Sequence, residues 1–195
     1  MATVWLTILM AAIFGLFWNS QLVYSLPTPV PAGYHDVHTG EKIILGKRLD
    51  FNGHKPVFLH FFNPDCPCSR FNIDHFKTLV KNYDSKVDFA VVLMTNKSCT
   101  PAQIQKRFGI TVPVIADPTL ATACGVYSTP QAVLINTDQQ LYYRGNYNKT
   151  RYCTDPKTSY ATIALEDLLH QKKITPLGKF ALKAYGCSTP NCTNQ

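Results

Sequence analysis

KPVFLHFF, residues 55 to 62, is apolar at nearly every position instead of alternating. A strand with that pattern is buried on both faces, so it needs a sheet covered from above and below. NPDCPC follows at once, and then SRFNIDHFKTLVKNY, where Phe71, His75, Phe76, Leu79 and Val80 recur at helical spacing. Cys66 and Cys68 therefore stand at a strand-to-helix junction. KVDFAVVLMT (86 to 95) reads as a second buried strand, and PAQIQKRFG (101 to 109) as a helix opened by Thr100 or Pro101 and closed by Gly109.

Further along, TVPVIAD gives a short extended piece and TLATACGV one or two helical turns. QAVLIN (131 to 136) and LYYRG (141 to 145) form a hairpin about TDQQ. TSYATIALEDLLHQK (158 to 172) is an amphipathic helix with Ala161, Ile163, Ala164, Leu165, Leu168 and Leu169 inward. With a short strand in EKIILGKRLDFNG before a turn at Asn52-Gly53, this order specifies a three-layer α/β/α sandwich with a mixed central sheet.

Residues 3 to 18, TVWLTILMAAIFGLFW, carry no charge, and the uncharged stretch runs on to Leu26. Spanning a bilayer takes about 20 such residues. A basic start and a small-x-small cleavage site are both missing, which favours a retained transmembrane helix over a cleaved signal for residues 1–26. LPTPVPAG then opens a Pro-rich linker, residues 27–39, expected as a semi-rigid spacer that holds the domain off the membrane. The domain itself is expected over 40–175 and a polar tail over 176–195. Net charge is +7, yet no arginine-rich run with interleaved aromatics is present, so nucleic acid is not an expected partner. Seven cysteines are many for a reducing cytosol. Together with the anchor they place the domain on the extracytoplasmic, periplasmic side.

A parallel β-α-β crossover is right-handed, so strands 55 to 62 and 86 to 95 should lie side by side with their C-terminal ends at one edge. Cys66, Cys68 and Cys99 leave the sheet there. A hairpin antiparallel to these strands brings Pro130 and Cys153 to the same edge. On these residues the chain resembles the thioredoxin-like superfamily over about residues 40 to 172, and within it membrane-anchored thioredoxin-like reductases and the alkyl-hydroperoxide-reductase/redoxin (AhpC/TSA-like) branch, with which it shares Tyr143-Arg144-Gly145. The resemblance implies a redox cysteine at Cys66 and a cis bond at Thr129-Pro130. It departs at the motif: thioredoxins use Cys-x-x-Cys, whereas Ser69 fills the second position here and the other thiol is Cys68.

A cysteine at a helix N-terminus meets unsatisfied N–H groups and the positive end of the macrodipole, which favour thiolate, so Cys66 is the expected nucleophile. Residues two apart on a helix point to opposite sides, and a Cys66–Cys68 bond would require local unwinding. Three fates are open: pairing with Cys68, resolution by Cys153 or Cys99, or action alone with Ser69 as a hydrogen-bond donor. Cys99 and Cys153 can equally form a fixed disulfide. Cys187 and Cys192, enclosing STPN, are expected to make a small local disulfide, and Cys124 to pack in the core. His60 and His75 read as packing residues. Asp65 stands where thioredoxins carry Trp, and its carboxylate would oppose a neighbouring thiolate.

The leading expectation is a membrane-tethered thiol-disulfide oxidoreductase acting through Cys66 on protein disulfides, with a membrane or periplasmic thiol as electron donor and no cofactor besides its cysteines. Pro130 would expose backbone to the substrate chain. A thiol peroxidase would need Thr or Ser where Asn63 stands. Copper is the other alternative, with Cu(I) held by Cys66 and Cys68, although no histidine falls between His75 and His170 to complete such a site.

Overall fold

The computed structural model describes residues 2–18, 26–45, 49, 51, 53–150 and 155–188. Its central sheet has the order β3-β2-β1-β5-β6. β1 (Val57–Phe62) and β2 (Asp88–Leu93) run parallel in register Val57↔Asp88 to Phe62↔Leu93, and β3 (Val114–Ile115) pairs parallel with β2. β5 (Gln131–Ile135) is antiparallel to β1, and β6 (Leu141–Gly145) returns antiparallel to β5. The crossovers are α2 (Pro67–Tyr83) and α3 (Pro101–Phe108), followed by the single-turn α4 (Thr119–Ala123) and, after the hairpin, α5 (Tyr160–Leu169). This is a thioredoxin-like fold.

Every residue of β1 is buried, as its sequence requires, and alternate residues feed two separate cores. Phe58 and Phe62 join Ile73, Phe76, Leu79, Ile104, Ala161 and Leu165 under α2, α3 and α5. Leu59 and Phe61 join Ala90, Val92, Val133, Leu120 and Cys124 on the other face. That second face is covered by α4 together with Val37, Ile43 and Leu49 from the chain before β1. Among the described residues the single-turn α4 is the helix of this outer layer. On α2 the buried stripe is Ser69, Asn72, Ile73, Phe76, Leu79 and Val80, and Phe71, expected inward, stands 49% exposed one position off it.

Local signals place the helix ends. Thr100 caps α3 in a full capping box: Gln103 N donates to Thr100 Oγ1 at 3.2 Å, and Thr100 N donates to Gln103 Oε1 at 2.9 Å. Pro101 follows at the first helical position, and Gly109 ends the helix at φ +62°, a left-handed turn that glycine adopts without penalty. Thr100→Ala removes the cap of a helix only two turns long and should lower stability by about 1 kcal/mol, checked by urea unfolding.

Three expectations change. Among the described residues of EKIILGKRLDFNG the expected strand is a single bridge, Lys42↔Gln140, supported by Ile43 N donating to Gln139 O, and Asn52 lies outside them. The Pro-rich stretch does not stand clear as a spacer, because Thr28 and Val37 are buried and Arg144 Nη1 donates to Val37 O at 3.0 Å. The expected polar tail folds back: α6 (Lys179–Leu182) buries Ala181 against the core, and β7 (Cys187–Ser188) pairs with β4 (Ser128–Thr129). At the other end α1 (Ala2–Phe17) has no buried residue, and among the described residues no helix is long and apolar enough to cross a membrane. Residues 19–25 of the expected span lie outside the described residues.

Candidate active site

The candidate site is built where β1 ends. Asn63 sets the turn: its Oδ1 accepts from Asp65 N at 2.9 Å and its carbonyl from Cys66 N at 3.1 Å. That turn leaves Cys66 as the N-cap of α2 with extended backbone (φ −80°, ψ 120°), and Pro67 takes the first helical position, where its missing N–H leaves no bond unmade. Asn63 N donates to Ser69 Oγ at 3.3 Å, so the hydroxyl offered as a partner for Cys66 supports the turn instead. Asp65 pairs with Lys97 Nζ at 3.2 Å, so the carboxylate expected to oppose a thiolate has a cation of its own.

Thr129-Pro130 is a cis peptide, and it lies against the cysteine: Cys66 Sγ is 3.5 Å from Thr129 O, the separation over which a thiol S–H donates once reduced. Among the described residues Thr129 Oγ1 and Gln131 Oε1, on either side of Pro130, are buried without a hydrogen-bond partner. Buried polar atoms seldom stay unpaired, so both keep unused hydrogen-bonding capacity beside the cis peptide.

Cys66 is disulfide-bonded to Cys187 across 121 residues, with Cα atoms 6.0 Å apart. The local Cys187–Cys192 bond expected in the tail is therefore not formed. α6 and the residues after it carry Cys187 onto β4, where its sulfur is taken up by Cys66, and Cys192 lies outside the described residues. Cys68, expected beside Cys66 in the chemistry, is a buried thiol in the first turn of α2. Cys99 is a half-buried thiol lining a pocket of about 150 Å³ with Met94, Lys97 and Pro118. Cys153 lies outside the described residues. Of the expected site residues the structure joins Cys66 and Pro130, and it adds Cys187.

A family model described as a domain of unknown function, DUF6436, matches residues 38–190. The chain belongs to that family. The match takes in both bonded cysteines and the cis proline. No curated protein matches the chain in sequence. Solved structures share its fold at low identity. A hypothetical protein from Sinorhizobium meliloti 1021 aligns with TM-score 0.63 and 16% identity over 80% of this chain and 95% of its own. An uncharacterized conserved protein from Geobacillus kaustophilus aligns with TM-score 0.61 and 20% identity over 72% of this chain and 79% of its own. A thioredoxin-like protein in its oxidized form aligns with TM-score 0.50 and 17% identity over 75% of this chain and 97% of its own.

The remaining candidates are structural. Burial pushes the Cys124 thiol up to about 12, far from reactivity at neutral pH. His60, fully buried, shares a 2.6 Å hydrogen bond with Tyr147 Oη and stacks on Phe76. His75 Nε2 meets Ser159 Oγ and Thr162 Oγ1, each at 3.2 Å, which ties α2 to α5. Among the described residues no three His, Cys, Asp or Glu side chains converge as a metal site would require.

Proposed function

We propose that this protein is a thiol-disulfide oxidoreductase that exchanges disulfides with protein substrates through Cys66. One observation carries the reading: the sulfur at the head of α2 faces the cis Thr129-Pro130 peptide and is already joined to a cysteine from a distant segment. In the reduced protein the amino end of α2 stabilises negative charge on that sulfur. The Cys66 thiolate attacks one sulfur of a substrate disulfide. A mixed disulfide forms and the substrate's other sulfur leaves as thiolate, taking a proton from solvent. The unpartnered polar atoms of Thr129 and Gln131 flank this point, and an extended substrate segment beside the cis peptide suits strand-like pairing.

The finer parts of the proposal are the membrane and the compartment. α1 exposes Trp5, Leu6, Leu9, Met10, Phe14 and Leu16, an apolar surface suited to lipid, and a disulfide at the site suits an oxidising space outside the cytoplasm. The test is insulin reduction by the full chain with dithiothreitol as electron source. Precipitation of the insulin B chain faster than with dithiothreitol alone, and lost after alkylation of the reduced protein, is the expected result. A rate equal to dithiothreitol alone refutes the proposal.

A further inference from the structure

A mixed disulfide at Cys66 is released only when a second thiol attacks the Cys66 sulfur. Cys68 is badly placed to do so, since it lies two residues on in the same helix and is 3% exposed. Cys187 reaches that sulfur in the structure as it stands. It arrives on β7, which pairs antiparallel with β4 in the register Ser128↔Ser188 and Thr129↔Cys187, directly before cis-Pro130. An extended segment added to that edge, with a cysteine on the nucleophile, has the geometry of a bound substrate chain.

The track is tightly fitted. Gly186 has φ +140°, and a Cβ there would run into the carbonyl oxygen of Thr129 and lie 3.2 Å from Ser128 Oγ. On the far side Thr28 Oγ1 meets Ser128 Oγ at 2.8 Å and donates to Gly186 O at 3.3 Å. The preceding residues are anchored independently. Asn146 Nδ2 donates to Phe180 O and Lys183 O, each at 2.7 Å, Asn146 N donates to Ala181 O at 2.8 Å, and Thr28 N donates to Ala184 O at 2.9 Å. None of these bonds involves the disulfide, so they anchor the segment as far as Ala184 independently of it. Gly186, Cys187 and Ser188 are the part that must swing to clear β4.

We propose that Cys187 is the resolving cysteine of the exchange, carried on a hinged strand that occupies the substrate's place at β4 between turnovers; this rests on the oxidoreductase reading above. In the dithiol form β7 leaves β4 and an extended substrate segment takes its place. After Cys66 has formed the mixed disulfide, the Cys187 thiolate attacks the Cys66 sulfur. The Cys66–Cys187 bond forms, the bond between Cys66 and the substrate breaks, and the substrate sulfur leaves as thiolate and is protonated. Two electrons pass from the cysteine pair to the substrate disulfide. An external dithiol returns them: one of its thiolates attacks Cys187, which is half-buried where Cys66 is 2% exposed, Cys66 leaves as thiolate at the head of α2, and the dithiol's second thiol then displaces Cys187 and closes the dithiol's own disulfide.

The test mixes reduced full-length protein with insulin at equal concentration, quenches with acid and follows adducts by intact mass and peptide mapping. Cys187→Ser should accumulate an insulin adduct on Cys66 that decays at least about tenfold more slowly than in the wild type, because the tethered thiol is gone. Gly186→Val keeps both cysteines but blocks the approach to Thr129, and it should slow closure of Cys66–Cys187 by a similar factor. An adduct on Cys66 in Cys187→Ser that clears at the wild-type rate overturns the resolving role and leaves the oxidoreductase reading intact. So does an adduct trapped by Cys68→Ser instead. Absence of any adduct on Cys66 in Cys187→Ser, with circular dichroism unchanged, removes both readings. An unchanged closure rate in Gly186→Val refutes the strand's placement at β4.

Discussion

Replacing Cys66 with serine should abolish insulin reduction, with a loss on the order of 10³-fold or more, because exchange needs a thiolate that forms a mixed disulfide, and a serine hydroxyl stays protonated and cannot form one. The same variant should melt lower in oxidising buffer, since the bond to Cys187 closes a loop spanning 121 residues. Disulfides of this reach add roughly 2 to 5 kcal/mol, or about 4 to 20 °C in a chain of this size. With dithiothreitol present the gap between wild type and Cys66→Ser should close, because neither then has the bond. Thermodynamic linkage gives the size of the gap a meaning. Whatever the bond adds to the fold, the fold adds to the bond, so a cysteine pair that opens in every cycle belongs at the low end of that range and a permanent staple at the high end. Equal melting temperatures in oxidising buffer would deny that Cys66 and Cys187 are joined, and full activity in Cys66→Ser would remove Cys66 from the chemistry.

Acid should destabilise the domain well before its carboxylates titrate. His60 is sealed between the sheet and α2, and burial, with a smaller contribution from His75, pushes its pKa from 6.5 down to about 3. Burial lowers His75 as well. In the folded chain His60 stays neutral, whereas in the unfolded chain it takes up a proton below about pH 6.5. The unfolded state therefore binds the extra proton, and stability is lost as pH falls from 6.5 towards 3. The slope for one such group approaches about 1.4 kcal/mol per pH unit, or roughly 2 kcal/mol between pH 6.5 and 4.5, because at pH 6.5 the unfolded ring is already half protonated. Urea unfolding at both pH values measures it directly. His60→Phe lacks the titrating ring and should lose most of that slope, whatever the absolute stability of the variant. An undiminished slope would mean that His60 is not the acid-sensitive group.

The parts of the fold that could be read from sequence are those where short-range chemistry and burial agree. VFLHFF has no polar face to turn to water, so its place at the sheet centre follows from composition. Thr100, Pro101 and Gly109 mark α3 to the residue because a cap, a donor-free imino acid and a left-handed turn each suit one position only. Cys66 and Pro130 were legible for a topological reason: a right-handed crossover and an antiparallel hairpin bring both to the same sheet edge. Cys187 was not. Four residues, Ser, Thr, Pro and Asn, separate it from Cys192, which fits a small local loop, and pairing with Cys66 depends on tertiary contacts far away in sequence. A signal was nonetheless present just upstream, where Phe180, Ala181, Ala184 and Tyr185 interrupt the polar tail and Gly186 precedes the cysteine. Two of those residues, Ala181 and Ala184, are fully buried, and Asn146 provides the hydrogen bonds that fix them. The same blindness explains the linker, since alternating prolines specify extended backbone but say nothing about which surface it lies on.

The distance along the chain from Cys66 to Cys187 has a consequence for biosynthesis. Ribosomes add roughly 5 to 20 residues per second, so the sulfur at the head of α2 is made about 6 to 24 s before its partner exists. During that interval Cys68, Cys99, Cys124 and Cys153 are all translated, and each offers the nascent chain a premature mate. Rapid burial of Cys68 and Cys124 in the growing core would keep the early thiol available until the last segment arrives.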